Sequence, residues 1–199
     1  MIKILKIINN WFRDIALENI DKGFDKPLPM VSSEKITKEE TKRKVMELIS
    51  KAEQLTPKSF EKDLPPMKDF PDIRESHFYE NEIWEIGEKI RQLIFEHKRL
   101  RKDNSINERI INFCLNRNSK SGRQSFIMLL WYKHNQKYAE KLVSLIDDEY
   151  VNGHIIEGLN KLQVQGYCEQ VYHYRNDERK WVKKQVNKYL EKYCTQQRL

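Results

Sequence analysis

Residues 147–162 read DDEYVNGHIIEGLNKL. Three acids stand together, His154 and Glu157 follow three residues apart, and two glycines interrupt an apolar pattern. The stretch reads either as a chemical cluster or as a structural unit. Val151, Ile155, Ile156, Leu159 and Leu162 recur at helical spacing, so they form the buried stripe of an amphipathic helix. Asp147, Asp148 and Glu149 precede that stripe. Carboxylates there can accept hydrogen bonds from the open N–H groups of a first turn and favour its positive end. That role requires no metal. Di-metal bundles use Glu-x-x-His on two helices, each with partner glutamates; here the order is reversed and no second motif exists. Gly158 falls on the packed side, where a neighbouring helix can come close, and Gly153 is expected to face outward. A glycine inside a helix costs about 0.5–1 kcal/mol relative to alanine, so its presence asks for such a reason.

The same pattern recurs along the chain. Phe126, Ile127 and Leu130 lie 29 residues before Ile155, Ile156 and Leu159, and Tyr138, Ala139, Leu142 and Leu145 lie 29 before Tyr167, Cys168, Val171 and Tyr174. Val151, Ile155, Leu159 and Leu162 lie 31 before Val182, Val186, Leu190 and Tyr193, and Ile106, Ile110, Phe113 and Cys114 lie 32 before Tyr138, Leu142, Leu145 and Ile146. A helix pair repeated at this period cannot bury its apolar face alone, so neighbours must stack. Helices are expected near 80–101, 105–117, 122–134, 136–146, 149–163, 165–175 and 178–195.

On Asp148, Val151, Ile155, Ile156, Gly158, Leu159 and Leu162, the stretch resembles the second helix of a HEAT-like repeat of the short, phycobilisome-lyase type. The resemblance covers about residues 105–195. It implies an all-α fold: a right-handed α-solenoid of HEAT-like helix pairs in the C-terminal half, preceded by extra helices and a proline-rich connector. Asn152 stands where that family often has Arg.

All six prolines lie before residue 72. They bracket one clear helix, opened by the capping box TKEE at 37–40, with Val45, Met46, Leu48, Ile49, Ala52 and Leu55 as its stripe. Residues 56–76 read as an irregular connector. At the start of the chain, Ile4, Leu5, Ile8, Trp11, Phe12 and Ile15 share one helical face, which suits docking on the protein's own core; membrane-surface contact is not expected of it. This divides the chain into 1–79, an N-terminal helical segment with connector, and 80–199, the repeat domain. No stretch reaches the roughly 18 apolar residues of a transmembrane helix, and no secretory signal is recognisable at the start.

Of the 37 Lys/Arg and 30 Asp/Glu, fifteen of each fall in residues 1–80, so the net +7 belongs wholly to the rest. A basic half permits contact with nucleic acid, anionic lipid or an acidic protein. Three cysteines without short spacing indicate neither a disulfide framework nor a zinc site, and Cys114 and Cys168 read as buried thiols, suiting a cytoplasmic chain. No HExxH, GxSxG, Walker or GxGxxG pattern occurs, so no catalytic residue, cofactor or metal ligand is assigned. NRNSKSGRQS at 116–125 is a basic turn without Walker spacing and reads as an inter-repeat loop.

In solenoids of this kind the second helices line the concave face. Candidate partner-binding residues off the apolar stripe are Arg123, Trp131, Lys133, His154, Glu157, Lys161, Lys184 and Lys188. The expected function is a non-enzymatic adaptor binding a protein partner there, a role that includes toxin-neutralising immunity proteins. The alternative is nucleic-acid binding. Some glycosylases acting on alkylated DNA bases are built from HEAT-like repeats and use aromatic side chains on a basic surface, as Trp131, Trp181, Tyr132 and Tyr174 could supply. No residue here matches a catalytic motif of those enzymes.

Overall fold

A computed structural model describes residues 36–59 and 76–194. The apolar segment at 4–15 and most of the connector lie outside the described residues. Among the described residues the chain is all-α, with no strand. The helices are α1 (Lys38–Leu55), α2 (Ser76–Glu96), α3 (Asn104–Cys114), α4 (Gln124–Leu129), α5 (Ala139–Val143), α6 (Asn152–Leu162), α7 (Cys168–Tyr172) and α8 (Lys180–Tyr193). Tight 3-10 segments at Lys98–Lys102, Arg117–Arg123 and Lys133–Tyr138 join several of them. Each helix expected after residue 80 is present with somewhat different ends, and 3-10 turns take up the junctions between the first four of them.

Local chemistry explains the ends. Glu40 N–H donates to Thr37 Oγ1 at 3.2 Å and Thr37 N–H to Glu40 Oε2 at 3.0 Å, closing the capping box of α1. The helix stops at Leu55 two residues before Pro57, whose missing N–H and ring exclude a further turn. Asp103 Oδ1 accepts from Ser105 and Ile106 N–H at the start of α3, and its other oxygen takes Lys42 Nζ at 2.7 Å, tying α1 to α3.

Packing runs in two rows. α2 packs on α4, α4 on α6 and α6 on α8; beside them α1 packs on α3 and α3 on α5. Neighbours in sequence close the gap between rows, as in α1–α2, α3–α4, α5–α6 and α7–α8. Among the described residues, α1 packs with α2 and α3 in one compact unit. Many of the repeated positions are buried, while Ile146, Tyr167, Cys168, Tyr174, Leu190 and Tyr193 are only half-buried. Phe126, Ile127 and Leu130, and their counterparts Ile155, Ile156 and Leu159, are all wholly shielded. Burial of such side chains stabilises by about 1.5–3 kcal/mol each before entropy is counted.

The loop at 116–125 is an internal joint. Asn118 Nδ2 donates to the carbonyls of Pro57 and Lys58, Ser119 Oγ meets Thr56 Oγ1 at 2.8 Å, and Ser121 bonds the buried carboxylate of Glu80 on α2. No helix among the described residues is long and apolar enough to cross a membrane.

One cysteine expectation is overturned. Cys168, at the start of α7, forms a disulfide with Cys194, just past α8. The two are far apart in sequence, but α7 lies against α8 and brings them together, a proximity that spacing alone does not reveal. Cys114 is the buried thiol it was expected to be, and burial pushes its pKa up to about 12.

Candidate partner-binding face

The opening stretch folds as a turn followed by α6. Its acids do not cap that helix. α6 starts at Asn152 with Val151 as N-cap and no side-chain cap bond. Asp148 Oδ1 accepts Tyr150 N–H at 3.1 Å within the preceding turn, while Oδ2 takes Arg123 Nη2 at 2.5 Å. Asp147 pairs with Arg117 at 2.7 Å. Asp147 and Asp148 therefore fasten the turn to the 3-10 segment at Arg117–Arg123.

This removes Arg123 from the partner-binding candidates. Its side chain is wholly buried. Its guanidinium donates to the carbonyls of Lys120 and Cys114, both at 3.0 Å, as well as to Asp148. Three of its five N–H donors are committed inside the fold, and a wholly buried side chain presents none of them at the surface.

α6 carries three different environments on successive turns. Gly153 faces inward, contrary to the sequence expectation: a β-carbon there would lie 2.3 Å from the Trp181 ring of α8. Gly158 takes the other indole, with Trp131 Nε1 at 2.9 Å from the same imaginary atom. Between them stands His154. Its ring stacks on Trp131 (centroids 6.3 Å, 22°) and meets the edge of Trp181 (5.2 Å, 61°). Burial, helped by the positive charge of Arg179, lowers its pKa to about 4, so the imidazole is neutral at pH 7. Trp131 and His154 are thus packing residues, as is Trp181.

One turn on, Glu157 is 2% exposed. Lys161 on the same helix comes within 3.9 Å, and the charges of Lys188 and Lys184 on α8 also act on it. Burial raises its pKa and the three lysines pull it back down. Glu157, Lys161, Lys184 and Lys188 therefore gather at one place, on the two helices that the repeat alignment superimposes. Lys133 is exposed at the start of its 3-10 segment, and no hydrogen bond or ion pair joins it to that group among the described residues.

Residues 180, 183, 184, 187, 188 and 191 line one open depression along α8. Lys180 and Lys183 belong to it although the sequence reading passed them over. Lys180 was signalled by the i, i+4, i+8 run with Lys184 and Lys188, which puts one charge per turn on a single side. The two helices are locked in register: Asn160 Nδ2 of α6 donates to the Gln185 carbonyl of α8 at 2.9 Å, and Arg179 reaches Asn152 Oδ1 at 2.7 Å. Among the described residues no group of three or more His, Cys, Asp or Glu is arranged to hold a metal.

Comparison of the chain with family models, with curated proteins and with solved structures found no match.

Proposed function

We propose that this protein is a non-enzymatic scaffold of stacked HEAT-like helix pairs that binds a protein partner through the side formed by α6 and α8. The observation that carries the reading is the gathering of Lys161, Lys184 and Lys188 around the shielded carboxylate of Glu157. Two helices held in fixed register present a charged face beside a packed aromatic cluster, and rigid presentation lowers the ordering cost of binding. A toxin-neutralising immunity protein is one role such a scaffold fills.

The stacked arrangement draws support from the two helix rows and from bonds between successive units. Gln124 reaches the Tyr150 carbonyl, Gln136 that of Leu162, and Asn160 that of Gln185, with 26, 26 and 25 residues between partners. Each unit thus touches the next, as a one-dimensional repeat requires.

The nucleic-acid reading rests on net charge. Several of the side chains that could read or stack bases are engaged elsewhere. Trp131 and Trp181 pack on the glycines of α6, Tyr174 bonds the Ile146 carbonyl, and Arg109, Arg117, Arg123 and Arg179 are each paired with a carboxylate. What the α6–α8 side offers is lysine mixed with glutamate, which favours a protein surface.

A photo-cross-linking residue at position 184, compared with one at the exposed position 44 on α1, tests the reading in the native host. A protein adduct specific to 184, which binds again as purified protein, supports it. Adducts with nucleic acid alone, or none beyond those at 44, refute it.

A further inference from the structure

The chemistry of the partner can be taken a step further, on the reading that the α6–α8 side is the binding face. Lys180, Lys184 and Lys188 recur every fourth residue on α8, so their stems rise from one stripe at steps of about 6 Å. Lys161 joins them from α6. Among the described residues, no ion pair engages Lys180, Lys183, Lys184 or Lys188. Solvent-exposed lysine alone would be a solvated face. Glu157 makes this one different. It is nearly sealed from water, it accepts no hydrogen bond from a described residue, and its nearest cation is 3.9 Å away. A carboxylate shielded without close partners costs stability. Its negative charge divides the basic surface and makes it selective: an anion directly above Glu157 is repelled, while anions over the lysines are attracted.

We propose that the α6–α8 face takes an acidic polypeptide segment whose carboxylates, repeated at one helical turn, lie along Lys180, Lys184 and Lys188, with a hydrogen-bond donor over Glu157. A helix with Glu or Asp at every fourth position matches the lysine step. A Lys, Arg or amide side chain in the middle of the segment puts no second negative charge over Glu157. A polyphosphate strand fits less well, since it is negative at every step and puts charge over Glu157 as well.

The test is fluorescence anisotropy with the full chain and three labelled probes. One is a helical peptide with glutamates on one face and a central lysine. The second is the same peptide with a central glutamate, and the third is single-stranded DNA of equal charge. The lysine-centred peptide is expected to bind most tightly. Lys184→Glu with Lys188→Glu, both at exposed positions, should weaken it by at least ~10-fold, since each reversal turns attraction into repulsion. Glu157→Gln should shrink the difference between the two peptides. Lack of peptide binding, indifference to the charge reversal, or tighter binding of the DNA each overturns the proposal. Should a protein partner cross-link at position 184 while the peptides fail, the acidic segment is wrong and the scaffold reading stands. Should both fail, both fall.

Discussion

Gly158 lies so close to the indole of Trp131 that a β-carbon on it would come within 2.9 Å of Nε1. Helix propensity alone makes Gly→Ala a gain of about 1 kcal/mol in a helix interior. Here a side chain must push a buried ring. Gly158→Ala is therefore expected to bring no gain, and Gly158→Leu to lose roughly 1–3 kcal/mol from overpacking. Gly153→Ala should behave alike against Trp181. Urea titrations read all three; an alanine variant stabilised by its full propensity would refute the close approach.

Arg123 and Asp148 form a buried pair that joins the 3-10 segment at Arg117–Arg123 to the turn before α6. Replacing one partner strands the other's charge, so Arg123→Met should cost about 3–5 kcal/mol. Arg123→Met combined with Asp148→Leu removes both charges and should be less harmful than the two single losses added. A double-mutant cycle measures the coupling, and simple additivity would show that the pair contributes nothing jointly.

His154 makes stability depend on pH. Its pKa is about 4 in the folded chain against 6.5 when unfolded. The unfolded chain therefore binds more protons between these values, and stability falls as pH drops through that window. A shift of this size corresponds to something on the order of 3 kcal/mol. Glu157 acts oppositely: burial raises its pKa, so the folded state favours its protonated form and its ionisation costs stability as pH rises. His154→Gln should remove the loss between pH 6.5 and 4. If the variant's pH profile superimposes on the parent's, His154 is not the source.

The disulfide and the buried thiol give a labelling pattern. Alkylation of the native chain should find no reactive cysteine, because Cys114 is buried and held as thiol. Unfolding without reductant should expose one site and unfolding with reductant three. Cys168→Ala with Cys194→Ala should destabilise the α7–α8 pair by roughly 2–4 kcal/mol, the usual worth of a loop of this length. Three reactive thiols in the unreduced, unfolded protein would show that the bond does not form.

The helical class and the buried stripe were legible in the sequence because both are periodic and local. Val151, Ile155, Leu159 and Leu162 bury whatever lies across from them, and Thr37 with Glu40 closes its capping box within four residues. The lysines of α8 were legible in part for the same reason, since a charge every fourth residue shares a side by helical geometry alone.

What pattern could not reach were the pairings between residues far apart in sequence. Asp148 looks like a cap until Arg123, 25 residues earlier, folds over it. Gly153 looks outward until Trp181 arrives from α8. Cys168 looks like a core thiol until Cys194 is beside it, and Glu157 becomes one centre with Lys184 and Lys188 only when α6 and α8 lie together. Helical periodicity tells which side of a helix is apolar, because 3.6 residues per turn is a property of the backbone. Which partner meets that side depends on how helices close in sequence but offset in space are stacked, and that is set by the summed packing of the whole chain.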